Sequence, residues 1–177
     1  MMARATGPIY KLKFRRRRAN LTNYAKRLAL LKSGKTRLVV RSTNRRVIVQ
    51  FVNPGPKGDV TVCSGSSDQL NKYGWKAKRN LPTAYLTGLL AGTLAAKKGV
   101  KEAVLDVGLR TASRNSVMFG ALRGAADAGV NVPQGEGLVD EARLKGAHID
   151  AYAKVKGGSS AVAQEFEKAK SAITKGV

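Results

Sequence analysis

The stretch RLVVRSTNRRVIVQFVNPGPKGDVTVCS, residues 37–64, contains three runs rich in β-branched residues, separated by two turn signals. The turn signals are STN at residues 42–44 and NPGPKGD at residues 53–59. Between Val47 and Val52 apolar side chains fall on both faces, so the middle strand is expected to be covered on at least part of both sides. The stretch therefore predicts a three-stranded antiparallel meander.

The segment after the meander alternates helix and strand. NLPTAYLTGLLAGTLAAKKGV, residues 80–100, predicts a long helix, because Pro82 stands in its first turn and two lysines precede Gly99 at its end. AVLDVG, residues 103–108, is a short run typical of a buried strand. The order strand, helix, strand predicts a right-handed crossover, with this strand parallel to a neighbour.

A second helix is predicted over SVMFGALRGAADAG, residues 116–129, with Asn115 or Ser116 as its cap. In the long helix of residues 80–100, Gly88 and Gly92 favour close packing against another helix in a core. The predicted fold class is α/β. It comprises a single mixed β-sheet, made of the three-stranded antiparallel meander plus one parallel strand, with packed helices, a basic N-terminal arm and a C-terminal helical extension.

The α/β core is predicted to span residues 21–132, after a basic arm of residues 1–20 that has no apolar periodicity. A short basic amphipathic helix is expected to open the core and to end at Gly34. Its apolar face consists of Leu21, Tyr24, Leu28 and Leu31.

Residues 133–177 are predicted to form an extension. Its first part is glycine-rich, has no clear period and is expected to be irregular. SAVAQEFEKAKSAITK, residues 160–175, predicts a final helix with a thin apolar stripe. The stripe consists of Val162, Phe166, Ala169 and Ile173. We expect it to pack against another surface but not to form a core.

Charge is the strongest compositional signal. The 177 residues include 33 Lys and Arg against 11 Asp and Glu, for a formal net charge of +22. Residues 1–50 hold 15 of the basic residues and no acidic one, since Asp59 is the first acid of the chain. Such a chain repels itself, so its compact state is expected to need a polyanion as partner.

Several classes of protein are disfavoured. The most apolar segment, YLTGLLAGTLAA at residues 85–96, is about a dozen residues long, whereas a membrane-spanning helix needs about 20, so no membrane association is expected. No signal peptide is visible. The single cysteine, Cys63, excludes an intrachain disulfide and a zinc site built on several thiolates, and it fits a reducing, intracellular compartment.

The sequence offers no convincing catalytic site. Asp106 ends a predicted strand, where catalytic carboxylates occur in α/β folds, but a nuclease or hydrolase needs two or three converging acids and the others are scattered. Asp106 is therefore expected to hold the following loop through local hydrogen bonds. His148 is the only histidine and lies in the extension. We predict no enzyme activity, metal or cofactor.

Two further segments carry features of a nucleic-acid interface. NKYGWKAKRN, residues 71–80, interleaves aromatics with cations, a pattern typical of a surface on which unpaired bases stack. The alternative is that Trp75 fills the core beneath this loop. GLRTASRNS, residues 108–116, places Arg110 and Arg114 before a helix N-terminus, a natural phosphate site. No helix-turn-helix, zinc finger or basic zipper is recognisable, so a folded RNA is favoured over DNA.

Most of the chain resembles a known family. The similarity runs from about Gly7 to Val132 and resumes weakly at RLKGAHIDAYA. It is carried by GPIYKLKFRRRR, TNYAKRLALLKSGKTRLVVRSTNRRVIVQFV, PKGD, KYGWKAKRNLPTAYLTGLLAG, GVKEAVLDVGL and GALRGAADAGVNVP. These segments look like the archaeal branch of the large-subunit ribosomal protein family numbered eighteen, which binds 5S ribosomal RNA and has a eukaryotic relative numbered five.

The resemblance implies a structural role in the ribosome, in the cytoplasm. The implied partners are 5S ribosomal RNA, the large ribosomal RNA, and the proteins of the central protuberance, including the other 5S-binding protein. From the family and from the charge pattern together, the expected RNA contacts are Lys11, Lys13, Arg15, Arg16, Arg17, Arg18, Lys26, Arg27, Arg41, Asn44, Arg45, Arg46, Lys72, Tyr73, Trp75, Lys76, Lys78, Arg79, Arg110 and Arg114.

Two alternatives remain open from the sequence. A general RNA-binding chaperone would bind many RNAs with similar affinity and have no preference for 5S ribosomal RNA. A nuclease would need a divalent metal and would lose activity on replacement of Asp106.

Overall fold

A computed structural model describes residues 7–76, 78–157 and 161–176 of the chain. Its four strands are β1 (Thr36–Ser42), β2 (Val47–Gly55), β3 (Gly58–Ser66) and β4 (Ala103–Asp106). The sheet order is β3-β2-β1-β4, with β1, β2 and β3 antiparallel in succession and β4 parallel to β1. The predicted mixed sheet, a meander plus one parallel strand, is therefore confirmed.

The N-terminal region contains α1 (Arg15–Arg18) and α2 (Tyr24–Lys32). The four consecutive arginines form a single exposed helical turn. The second helix begins at Tyr24, later than predicted, because the side chain of Asn23 caps it by accepting a hydrogen bond from the backbone N–H of Lys26. Leu21, Tyr24 and Leu28 of its apolar face are exposed and Leu31 is half-buried, so most of this face has no cover in the described part of the chain.

The predicted long helix is α3 (Leu81–Lys97), which follows a 3-10 helix (Ser67–Tyr73). The side chain of Asn80 caps α3 by accepting a hydrogen bond from the N–H of Thr83. Most of the helix is buried against β2, β3 and the next helix, α4 (Val117–Asp127). The helix predicted over residues 116–129 is confirmed as α4.

Glycines set the approach of α3 to α4. A Cβ atom on Gly88 would lie 2.1 Å from the carbonyl oxygen of Ala121, and one on Gly124 would lie 2.1 Å from that of Tyr85. Gly92 also has no room for a side chain. The prediction that Gly88 and Gly92 allow close helix packing is confirmed, and Gly124 does the same from the other helix.

The prediction that the first part of the extension is irregular is wrong. It contains α5 (Glu141–Leu144) and α6 (Ala147–Val155), followed by α7 (Val162–Gly176). Both early helices are short, and a left-handed Gly146 separates them, which is why no helical period shows in the sequence.

The final helix is part of a core. Phe166, Ala169 and Ile173 of α7 are at most 1% exposed and pack with residues of α3 and the 3-10 helix. The Phe166 ring lies 5.4 Å from the ring of Tyr85, centroid to centroid. The expectation that this stripe would not form a core is therefore wrong, because the stripe completes a second apolar cluster beside the one between sheet and helices.

Within the described ranges, no helix is both long and apolar enough to cross a membrane. Parts of the predicted arm and extension, namely residues 1–6, 158–160 and 177, lie outside the described residues.

Candidate nucleic-acid interface

One edge of the sheet collects the C-terminal ends of β1, β3 and β4, because these strands run in the same direction. An open groove of about 720 Å³ lies at this edge, between α1 and α2 on one side and residues 105–110 on the other. Five of the predicted contact residues line it: Arg16, Lys26, Arg27, Arg41 and Arg110. Among the described residues, Asp106 is the only carboxylate in the lining.

A buried arginine of β1, Arg37, contacts Asp106 of the groove lining. Arg37 is 2% exposed, and its guanidinium lies 2.7 Å from the carboxylate of Asp59 and 3.1 Å from that of Asp106. Arg27 of α2 also reaches Asp59, at 2.8 Å. The two carboxylates thus provide the counter-charge that a buried guanidinium requires, and Asp59 also ties α2 to the sheet.

Burial would raise the pKa of Asp59, but the adjacent guanidinium groups of Arg37 and Arg27 outweigh it and hold the pKa below its ordinary value of 3.8. A carboxyl with a lowered pKa in the folded state stabilises the fold above its ordinary pKa and loses that contribution as the pH falls through the lowered value. We therefore expect the melting temperature of the wild type to fall more steeply below about pH 4 than that of Asp59→Asn. Parallel curves for the two proteins between pH 5 and pH 2, recorded by circular dichroism, would contradict this.

Asp106 holds the loop that follows it, as predicted. Its Oδ1 accepts a hydrogen bond of 2.8 Å from the backbone N–H of Gly108, and its backbone carbonyl accepts one of 3.0 Å from Arg41. In the same loop, Arg110 donates a 2.6 Å hydrogen bond to the carbonyl of Ser42. The loop and the end of β1 are therefore joined at the groove.

The three arginines at the turn between β1 and β2 differ in their partners. Arg41 is directed to Asp106, and Arg46 forms a 2.9 Å ion pair with Asp68. Arg45 and Asn44 are exposed. Of these three arginines, only Arg45 has no ion pair within the part of the chain that the structure describes.

The prediction that Trp75 stacks on a base is not supported by its position. Trp75 is 3% exposed, its indole Nε1 donates a 2.8 Å hydrogen bond to the hydroxyl of Thr83, and its ring meets Phe166 edge-on at 6.3 Å. The alternative, that Trp75 plugs the core, is the one the structure shows. Tyr73 is partly buried against the same cluster.

The buried position of Trp75 has a testable consequence. We expect Trp75→Phe to lower the free energy of unfolding by about 1–2 kcal/mol, because the hydroxyl of Thr83 loses its donor and the smaller ring leaves space. Affinity for RNA, measured well below the melting temperature, should not change. A loss of RNA affinity with unchanged stability would instead identify Trp75 as a contact.

The remaining predicted cations differ in their surroundings. Arg114 donates a 3.1 Å hydrogen bond to the carbonyl of Gly137 and does not line the groove. Arg16 donates to the hydroxyl of Thr22. The following exposed cations make no ion pair within the described ranges: Lys11, Lys13, Arg15, Arg17, Arg18, Lys26, Arg45, Lys72, Lys76, Lys78 and Arg79.

The sequence analysis did not predict the ion pairs of buried Arg37 with Asp59 and with Asp106 of the groove. The available signal was an arginine at the start of the apolar run RLVV, where a buried cation must find carboxylates. Its two partners lie 22 and 69 positions further along the chain, so the sequence alone did not identify them.

The fold and this edge define a small α/β protein that concentrates positive charge around one end of its sheet and on its N-terminal segment. Comparison with known proteins agrees with this class. The model of the family described as ribosomal large subunit proteins 60S L5 and 50S L18 matches residues 9–101 and 93–135. The chain belongs to this family.

Curated relatives extend the match over most of the chain. The large ribosomal subunit protein uL18 of Methanothermobacter thermautotrophicus is 53% identical over 152 residues, which cover 85% of this chain and 79% of the relative. The uL18 protein of Halobacterium salinarum is 54% identical over 152 residues, covering 85% and 83%. That of Haloarcula marismortui is 51% identical over 150 residues, covering 84% and 80%.

Membership in this family gives the chain a structural role in the large ribosomal subunit, in association with ribosomal RNA and other ribosomal proteins. Its location is accordingly the ribosome, in the cytoplasm. A ribosomal protein of this family is a structural component and not an enzyme.

Proposed function

We propose that this protein binds 5S ribosomal RNA and helps to attach it to the large ribosomal RNA in the central protuberance, beside the other 5S-binding protein. The observation that carries the proposal is the surplus of exposed cations around one edge of the sheet and on the N-terminal segment. Most of these cations make no ion pair with a carboxylate within the described residues, so phosphates are suited to supply the missing counter-charge.

The groove supports recognition of a shaped RNA backbone. It is open, and its cations come from α1, α2, the end of β1 and the loop after β4, so they surround a bound strand from more than one side. Phosphate contacts of this kind fix position and orientation, and a folded RNA is recognised largely by its shape.

The chain divides, in this proposal, into the arm of residues 1–20, the RNA-binding core of residues 21–132 and the extension of residues 133–177. The proposed contacts are those predicted from the sequence with the exception of Trp75. Of these, Arg27 and Arg46 pair with carboxylates, and Arg110 and Arg114 donate to backbone carbonyls, so these four would have to exchange their protein partners for RNA or share them with it.

A competition assay tests the proposal. Labelled archaeal 5S ribosomal RNA bound to the protein at about 0.2 M salt is displaced with unlabelled 5S ribosomal RNA or with transfer RNA. We expect transfer RNA to be needed at a concentration at least about tenfold higher, because it presents the same charge in another shape. Equal displacement by both RNAs would favour the alternative, a general RNA-binding chaperone.

A further inference from the structure

The carboxylate of Asp106 is unexpected in a groove that is otherwise cationic. In simple electrostatics, a negative charge beside bound phosphates weakens RNA binding. The contacts of Asp106, however, are all directed inward, to groups of the protein. Its side chain is 10% exposed and lies within ion-pair distance of two guanidinium groups, those of Arg37 and Arg41.

The contacts between Arg41 and Asp106 fix one edge of the guanidinium. The Nη1 atom of Arg41 donates to the backbone carbonyl of Asp106 at 3.0 Å, and its Nη2 atom lies 3.5 Å from the Oδ1 atom of Asp106. The Nε atom has no acceptor in the described part of the chain. With the side chain of Arg41 46% exposed, the Nε edge remains available to the groove as a planar pair of donors.

The loop after Asp106 confines the same guanidinium from its flat side. A Cβ atom on Gly108 would lie 3.1 Å from the Cζ atom of Arg41, so the backbone of this loop lies directly against the guanidinium. The N–H of Gly108 donates to Asp106, so the carboxylate fixes both the loop and the arginine packed on it.

Pairing with Arg37 uses only the Oδ2 atom of Asp106, at 3.1 Å, and leaves Oδ1 to Gly108 and Arg41. Arg37 already has Asp59 at 2.7 Å, on its other side. The hydrogen bond that Asp106 accepts from the N–H of Gly108 and its contacts with Arg41 add nothing to the neutralisation of Arg37, whereas they do orient a cation that faces the groove.

Taking the proposed RNA-binding role as its basis, we propose that Asp106 is a positioning residue that increases RNA affinity by presenting Arg41 to an RNA phosphate in a fixed orientation. A preoriented guanidinium binds a phosphate through two parallel hydrogen bonds and does not have to be ordered on binding. The RNA affinity gained by holding Arg41 in this orientation then exceeds the affinity lost to repulsion between the largely buried Asp106 carboxylate and the RNA.

The proposal predicts a change of affinity opposite to the change of charge. We expect Asp106→Asn to lower the affinity for 5S ribosomal RNA about tenfold at about 0.2 M salt, although the variant has one negative charge fewer. The slope of log affinity against log salt should become less negative by about one, as for the loss of one phosphate contact. An unchanged or higher affinity overturns the proposal.

Arg41→Lys tests the orientation without changing the charge. Lysine keeps the cation but offers no planar pair of donors, so an affinity loss of about tenfold is expected here as well. The double variant should lose about tenfold and not about a hundredfold, because both changes remove the same contact. Independent, multiplying losses overturn the proposal.

The matched control is Glu102→Gln, which removes a carboxylate from the opposite end of the sheet, where it pairs with Lys35 at 2.6 Å. This variant should bind RNA as well as or better than the wild type. Thermal melts verify that each variant is folded. If Asp106→Asn is not folded at the assay temperature, Arg41→Lys decides alone, and an unchanged affinity for that variant overturns the proposal.

Titrating the same variants with transfer RNA separates this inference from the proposed function. If the wild type binds transfer RNA and 5S ribosomal RNA equally, the 5S assignment fails. The losses and their coupling on either RNA still support the role of Asp106. If the wild type prefers 5S ribosomal RNA but the variants bind it normally, only the role of Asp106 fails.

Discussion

Alanine at all four positions of α1, Arg15–Arg18, is expected to make the slope of log affinity against log salt less negative by about three. Each RNA phosphate neutralised by a protein cation releases condensed counterions, with a slope of roughly 0.7 to 0.9 per contact. These four side chains are exposed, and Arg16 is the only one with a side-chain hydrogen bond in the described ranges. They are therefore free to follow an RNA backbone. Gel shifts of 5S ribosomal RNA at a series of salt concentrations measure the slope.

A second variant with the same net charge is the control for this experiment. It replaces four exposed lysines that have no ion pair within the described residues and lie away from the groove: Lys101, Lys154, Lys168 and Lys175. If α1 contacts phosphates, the control should change the slope by less than one. Equal changes in both variants would mean that only bulk charge matters, and an unchanged slope for the arginine variant would mean that α1 does not touch phosphate.

Elements whose signals are local were predictable from the sequence. The meander follows from runs of β-branched residues between turn signals, and α3 follows from Pro82 in its first turn and the lysines before Gly99 at its end. Each of these signals acts within a few residues, so the chain itself displays it. The same is true of the acid-free N-terminal segment, which indicated a polyanionic partner before any contact was known.

Features that depend on distant partners were not predictable in this way. Trp75 packs against Phe166, which lies 91 positions further along the chain, and α7 is part of a core because α3 presents Tyr85 and other apolar side chains to it. A thin apolar stripe looks the same whether it meets solvent, a partner or its own chain. The sequence likewise did not show which loop cations would pair with protein carboxylates, as Arg46 does with Asp68.

The contact between α3 and α4 should be the part of the fold least tolerant of substitution. We expect Gly124→Ala to lower the free energy of unfolding by more than about 2 kcal/mol, despite the better helix propensity of alanine. The new Cβ atom would lie 2.1 Å from the carbonyl oxygen of Tyr85 and 2.8 Å from the backbone nitrogen of Leu89. Both neighbours are backbone atoms of a buried helix, so the conflict is relieved only by moving α3 and α4 apart. Urea unfolding monitored by circular dichroism measures the loss.

Gly88→Ala should behave in the same way, since its Cβ atom would meet the backbone of Ala121 from the opposite helix. Because the two substitutions force apart the same pair of helices, the double variant should lose less than the sum of the single losses. The control is Gly135→Ala, where the added Cβ atom meets nothing within 4 Å and φ is not positive, and which should leave stability within about 0.5 kcal/mol of the wild type. Wild-type stability in Gly124→Ala would show that α3 and α4 are not held at this distance in solution. None of the three glycines lines the groove of Arg41, so variants that remain folded should keep their affinity for RNA.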